Sequence, residues 1–470
     1  ASGHLVEEGK MLTAKMKAVT TSTRLIDLLD GVVDRLVFNK FHASAAYHSL
    51  ATWKRKRRLQ TNDRAGSVLE RLHQRVGKMI YGKKLGPREG ANVFWAAAHL
   101  VDAVPNVTQL VPALVKVLPK QMSGMNAQEL SNSLWAVAQM QETEPSVLRL
   151  VPAVVAQIPS KVADMIPQHL SNCFWASAQL RDTEPTVLKV VPLITQEIQQ
   201  LALTKSLIPQ HLSNCLWAVA QLKDLEPSVL DLVPVLTDQI IQKAEDMIPQ
   251  ALSSTLLAAA QLQELKPEVL QVVPAVVAQL PLMADRMSPQ AFANCLAALI
   301  LLQQSIPDVQ NVLADRRGLV MMAARRFTEM LPTMTRTSDL HLAVPTVVWA
   351  CARMGVYHGE LLISVAERLG SKSKISGLPD WGLCVLAWSY QVLDQEERFS
   401  DFFEKLVEEI DIRQFSDSQV ERSQLGSWEW QLDDDSDESD DSGDSKTSEG
   451  SEKYEMSEMQ IGTMIGPVRP

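Results

Sequence analysis

Cysteine is scarce in this 470-residue chain, with five copies, and none of them stands where a bridge could form. Cys173, Cys215 and Cys295 share one register of a repeat. Equivalent helices in stacked repeats lie about 8–10 Å apart, whereas a disulfide needs Cα atoms within about 7 Å. The thiols are therefore expected as small buried fillers, which fits a reducing compartment. Long apolar runs are also missing. No uninterrupted stretch reaches the roughly 18 residues of a spanning helix, so no membrane span is expected. Catalytic signatures are absent too: there is no H-E-x-x-H, no C-x-x-C and no G-x-S-x-G. Gly77, Gly82 and Lys83 have phosphate-loop spacing, but Lys84 stands where a magnesium-binding Ser or Thr belongs. His169 and His211 share a register without Cys, Asp or Glu at ligand spacing. These absences point away from an enzyme, and no metal or cofactor is expected. The chain opens at Ala1, and no targeting peptide is visible; that excludes nothing.

What is present is a repeat. LSNSLWAVAQM around Trp135 returns as LSNCFWASAQL and LSNCLWAVAQL, with weaker copies around Leu257 and Ala297. The central position falls at Trp95, Trp135, Trp175, Trp217, Leu257 and Ala297, in steps of 40, 40, 42, 40 and 40. A period in that range means stacked supersecondary units, each stable only against its neighbours. ASAAYHSLATW around Tyr47, VVWACARMG around Trp349 and CVLAWSYQV around Leu386 extend the array. The fold class expected is all-α: a right-handed solenoid of about eight helical hairpins of about 40 residues, with a disordered acidic tail. Residues 1–85 read as a basic helical region with a divergent first repeat, 86–315 as regular repeats and 316–412 as divergent ones. Residues 413–470 read as disordered, because a run such as DDDSDESDDSGDSKTSEGSE buries too little apolar surface to fold.

Each unit reads as two helices. Leu130, Leu134, Val137 and Ala138 form the apolar face of the first. Pro167 suits a first helical position, and Ser288 an N-cap. The second helix opens at Pro145 and its copies Pro185, Pro227 and Pro267. Another proline follows seven residues later, at Pro112, Pro152, Pro192, Pro234 and Pro274. Either it kinks the helix or the helix begins there after a separate short turn. Both parses fit the sequence.

Charge is segregated. Lys+Arg against Asp+Glu run 18 to 8 over residues 1–90, 11 to 19 over 91–315, 9 to 5 over 316–393 and 7 to 23 over 394–470. Lys54, Arg55, Lys56, Arg57 and Arg58 form the concentrated basic patch, which reads as phosphate contact, a solvated face or a nuclear import signal. Opposite the apolar face of the first helix runs a polar line: Gln128, Asn132, Gln139; Gln168, Asn172, Gln179; Gln210, Asn214, Gln221. It frays to Arg88, Asn92 and His99 at one end, and to Gln290 and Asn294 at the other. Amides hydrogen-bond base edges well, and repeat proteins read RNA with such positions. The competing reading is a structural ladder from helix to helix. A neighbouring line, Glu129, His169, His211, Ala251 and Ala291, varies as a ligand-reading row would. The tryptophans beside the stripe read as packing between units more readily than as base-stacking platforms. Trp428 and Trp430 resemble a short partner-docking segment.

These phrases resemble the octotricopeptide-type organellar repeat proteins, whose helical pairs carry an L-x-N-x-L-W-A-x-A-x-L signature. Leu170-Ser171-Asn172-Cys173-Phe174-Trp175-Ala176-Ser177-Ala178-Gln179-Leu180 fits it apart from Phe174. The lead-in from Leu25 to Ala51 is similar to the opening unit of algal and alveolate members. By repeat logic the chain also resembles the armadillo-like subunit of the RNA-editing substrate-binding complex and the organellar kinase-like RNA-binding proteins. The resemblance implies single-stranded RNA binding in a mitochondrion or plastid, for processing, stability, editing or translation. Two features depart from it: no C-terminal RNA-associated domain is recognisable, and the last units lose the signature. The alternative is a protein–protein scaffold of armadillo or tetratricopeptide type, cytoplasmic or nuclear.

Overall fold

Proline and amide chemistry sets the start of each first helix. Ile166 is extended and Pro167 takes the first helical position of Pro167–Leu180. In the unit before, Asn126 accepts from the Glu129 amide at 2.9 Å while the Glu129 carboxylate accepts from the Asn126 amide at 3.0 Å, a reciprocal cap. Ser288 caps Pro289–Leu301 through the Ala291 amide at 3.1 Å, as the sequence predicts. The computed structural model describes residues 2–56, 58–60, 63–204, 207–302, 315–334, 339–394, 396–414, 430–432 and 459–461.

Two compact units divide between Leu201 and Ala202, inside the regular repeats. In the first, helices α1 (Ser2–Lys17) and α2 (Ser22–Val32) precede a series of pairs. First helices α3 (Lys40–Arg55), α5 (Pro87–Leu100), α7 (Ala127–Met140) and α9 (Pro167–Leu180) stack in chain order. Second helices α4 (Asp63–Tyr81), α6 (Val111–Val117), α8 (Val151–Val155) and α10 (Val191–Leu203) form the other layer. In the second unit the first helices are α11 (Pro209–Leu222), α13 (Pro249–Leu262), α15 (Pro289–Leu301), α17 (Val344–Arg353) and α20 (Asp380–Leu393). They too stack consecutively. Between and beside them lie α12 (Val233–Lys243), α14 (Val272–Met283), α16 (Arg316–Met330), α18 (Gly359–Leu369), α19 (Lys372–Ile375) and α21 (Ser400–Arg413). The chain is an all-α solenoid of tandem repeats. Trp430–Leu432 pairs antiparallel with Met459–Ile461; Trp428 and the acidic run from Asp433 lie outside the described residues.

The ambiguity of the second helix resolves to the two-piece parse. Pro105–Leu110, Pro145–Leu150, Pro185–Val190, Pro227–Leu232 and Pro267–Gln271 are 3-10 turns. The α-helix then restarts with Pro112, Pro152 and Pro234 in its first turn. A proline there forfeits no hydrogen bond, because a first-turn amide has no intrahelical acceptor. The segment Pro267–Arg286 is long and apolar enough to cross a membrane by length and composition. Its Val272, Val273, Val276, Val277 and Leu280 are buried, and it packs on α12 and α13.

The core runs between the two layers and along the first helices. Trp95, Trp135, Trp175, Trp217 and Trp349 are all buried. In the first unit the rings form a chain: His48 stacks on Trp95 at 5.4 Å, His99 on Trp135 at 4.4 Å, and Trp135 lies 6.5 Å from Trp175. Each indole thus packs between consecutive repeats. Trp175→Ala is expected to lower unfolding free energy by about 3–5 kcal/mol in denaturant titration. A loss below about 1 kcal/mol would mean the ring contributes little to the stack.

Candidate nucleic-acid interface

The first helices are enclosed almost all round. In α7 every residue is buried except Gln128, which is exposed, and Gln139, which is half-buried. Within the first unit α7 is sandwiched between α5 and α9 and covered by α8, and within the second α13 lies between α11 and α15 and is covered by α14. Most of the polar line is therefore enclosed within each unit. Asn132, Asn172 and Asn214 are buried, as are Gln179, Gln221 and Asn294. Asn92 and Gln139 are half-buried.

Two of these amides bridge consecutive repeats within the first-helix layer. Asn92 Nδ2 donates to Ser44 Oγ at 3.1 Å, and Gln221 Nε2 donates to Gln261 Oε1 at 2.8 Å. Both pairs join equivalent positions of consecutive first helices. The last turns are tied likewise, with Gln141 Nε2 to the Gln179 carbonyl at 3.3 Å and Gln263 Nε2 to the Leu301 carbonyl at 2.9 Å. The ladder is discontinuous: Asn172 Nδ2 and Asn214 Oδ1 are buried without a hydrogen bond among the described residues. Asn172 and its copies are thus set at the interface of repeats, where the sequence left structure and ligand contact open. At the N-terminal ends of the helices, Arg88 and Gln128 are exposed and Gln168, Gln210 and His211 half-buried.

The varying neighbouring line is no more open. Glu129 is consumed by the helix cap, and His169, Ala251 and Ala291 are buried. Burial pushes the His169 imidazole down to about 4, and burial with the Lys243 charge does the same to His211. His99, in the register of the repeat glutamines, packs against Trp95 at 4.5 Å and Trp135. Burial first, then the charges of Arg55, Lys54 and His48, hold it well below the ordinary histidine range. All three are neutral near pH 7. Burial also raises Cys173 to about 12, so that thiol is inert. No group of three or more His, Cys, Asp or Glu among the described residues is placed to hold a metal ion.

Much of the basic region is spent internally. Lys54 pairs with Asp102 at 3.1 Å, Arg64 with Asp27 at 2.9 Å and Arg71 with Asp30 at 2.7 Å. Lys40 pairs with Glu89 at 3.1 Å. Arg55 is half-buried, and Arg57 lies outside the described residues. From Lys54 to Arg88, the cations exposed without an ion pair among the described residues are Lys56, Arg58, Lys78, Lys83, Lys84 and Arg88. Sequence spacing could not separate these from the paired cations, because the partners come from α2 and from the end of α5, distant in the chain.

The fold and its sites define a tandem-repeat α-solenoid without a recognisable catalytic centre among the described residues. No family model and no curated protein matches the chain. A solved structure described as a circular tandem repeat protein with novel repeat topology and enhanced subunit contact surfaces is similar over 85% of this chain and 89% of that one. The identity is 11% and the TM-score 0.18.

Two outcomes follow from this geometry. A double-mutant cycle of Gln221→Ala and Gln261→Ala is expected to give a coupling of about 0.5–3 kcal/mol, read by denaturant unfolding; additive effects would deny the rung. The histidines bind fewer protons folded than unfolded between about 4 and 6.5, so stability is undiminished above 6.5 and falls as pH drops through that window. His169→Ala, which places there the residue found at Ala251 and Ala291, is expected to flatten the melting-temperature profile between pH 7 and 4.5. An unchanged profile would show that His169 does not contribute to it.

Proposed function

We propose that the chain is a helical-repeat protein that binds single-stranded RNA and serves organellar RNA processing, stability, editing or translation. The observation that carries this reading is the set of cations left exposed at the N-terminal end of the array: Lys56, Arg58, Lys78, Lys83, Lys84 and Arg88 make no ion pair among the described residues. Unpaired cations on a rigid helical layer release counterions when they meet phosphates, and that term dominates nonspecific nucleic-acid affinity. The octotricopeptide-like phrases support RNA over DNA and an organelle over the cytoplasm. Burial of the Asn positions leaves few side chains to read bases, so binding of low sequence discrimination is the form this function takes here.

A scaffold for protein partners is the second reading. It is favoured by one observation: Asp102, Glu142, Asp182, Asp224 and Glu264 are exposed at one register of five consecutive repeats. Filter binding of the full chain to a mixed-sequence single-stranded RNA separates the two. Under the RNA reading, affinity falls with salt at a log–log slope of about −0.7 per phosphate contacted. Lys56→Glu with Lys83→Glu and Lys84→Glu is then expected to weaken binding several-fold with an unchanged melting temperature. No binding at low salt would favour the scaffold.

A further inference from the structure

The net acidity of residues 91–315 conceals a sorting of charge by layer and by unit. In the second layer, the residues three before, at, four after and eight after the second proline recur at the same places in each repeat, a stripe by register: the first in the 3-10 turn, the next in the α-helix or just past it. In the first unit the stripe reads Gln109, Pro112, Lys116, Lys120; then Arg149, Pro152, Ala156, Ser160; then Lys189, Pro192, Gln196, Gln200. Every one of these residues is exposed. The stripe holds four cations and no acid. In the second unit the same positions read Asp231, Pro234, Asp238, Gln242 and Gln271, Pro274, Ala278, Leu282, with two acids and no cation.

The acids of the first unit's regular repeats are placed elsewhere. Glu89 and Glu129 cap first helices, each accepting a backbone amide at 3.0 Å. Glu144 and Glu184 accept from Ser146 and Thr186 at 2.7 and 2.8 Å in the turns. Asp102, Glu142 and Asp182 end the first helices. Asp164 and Glu197, on the second-helix segments, fall off the stripe. Lys116, Lys120, Arg149 and Lys189 make no ion pair among the described residues, in contrast to Lys54, Arg64 and Arg71. The stripe continues into the basic region, since α4 packs on α6 and on the turn before it, and Lys78 of α4 is exposed.

We infer that the outward face of the second layer of the first unit, formed by α4, α6, α8 and α10 together with the 3-10 turns that flank them, is the track for the phosphate backbone of a single-stranded RNA. A row of unpaired cations without competing carboxylates, carried across adjacent repeats, is complementary in sign to such a polyanionic strand. Lys116, Lys120, Arg149 and Lys189 contact phosphates, and the buried amides of the first helices do not touch the ligand. This places the ligand on the layer opposite the one that the polar line suggests. The inference rests on the RNA-binding reading and adds to it where the strand lies.

The test is a four-site variant of the full chain, Lys116→Glu, Lys120→Glu, Arg149→Glu and Lys189→Glu, beside a control that adds charge at the same registers of the second unit, Gln242→Glu with Gln271→Glu. Binding of a fluorescent oligouridine is followed by anisotropy across a salt series. The variant is expected to bind at least about ten-fold more weakly at low salt, with a log–log slope shallower by roughly 3, at about 0.7 per lost contact. The control is expected to match wild type. Wild-type binding with the four-site variant unimpaired would overturn this inference and leave the RNA-binding reading standing; no binding by wild type would overturn both. Loss of binding to phosphatidylserine vesicles with oligouridine binding intact would reassign the face to a membrane surface and overturn the inference. Should the charge reversals unfold the chain, as read by circular dichroism, the same four positions changed to Gln carry the same test.

Discussion

Enclosure of the first helix is the constraint from which the rest of the architecture follows. A helix such as α7, buried at every position except Gln128 and Gln139, has α8 on one side and the equivalent helices α5 and α9 before and after it. Its polar groups must therefore find partners inside the array or remain costly. The pairing of Asn92 with Ser44 and of Gln221 with Gln261 answers that demand. The indoles answer a different one, filling the wide part of the same interface, where a ring of that size removes the most apolar surface from water.

The second helices meet the opposite condition. Their inner faces are buried through Val151, Val154 and Val190, but their outer faces have no covering layer among the described elements. A 3-10 turn followed by a proline-led α-helix satisfies this arrangement without leaving a buried amide unpaired. Function is free to vary on that outer face, because a change there disturbs no packing. Charge does vary there, from cationic in the first unit to acidic in the second.

The repeat period, the helical pairs, the caps at Ser288 and Pro167, and the burial of the cysteines were legible in the sequence because each rests on local chemistry or on spacing. The position of the polar line was legible only in part, since the sequence allowed both a structural ladder and a ligand-facing surface. A helical wheel sorts residues by angle about one helix and treats the side opposite the apolar face as solvent, but in a stack that side meets the next repeat. Asn172 therefore looks like a surface residue on the wheel and is buried in the fold. The basic patch failed to resolve for a related reason: Lys54 and Arg71 are neutralised by Asp102 and Asp30, whose proximity depends on tertiary structure. The cationic stripe was written in the sequence at Lys116, Arg149 and Lys189, but the net charge of residues 91–315 averaged it away.

The claim that the first-helix amides are interior while the second-helix stripe is open is tested most directly by thiol labelling. All five native cysteines are buried, so the folded chain offers a nearly silent background. Single cysteines placed by Asn172→Cys and by Lys189→Cys are then compared for their rate of reaction with a maleimide under native conditions. The account predicts that the thiol at position 189 reacts like a free one, while the thiol at 172 reacts only as fast as the chain opens. Equal, rapid labelling at both positions would show that the first-helix line faces solvent and would contradict the account.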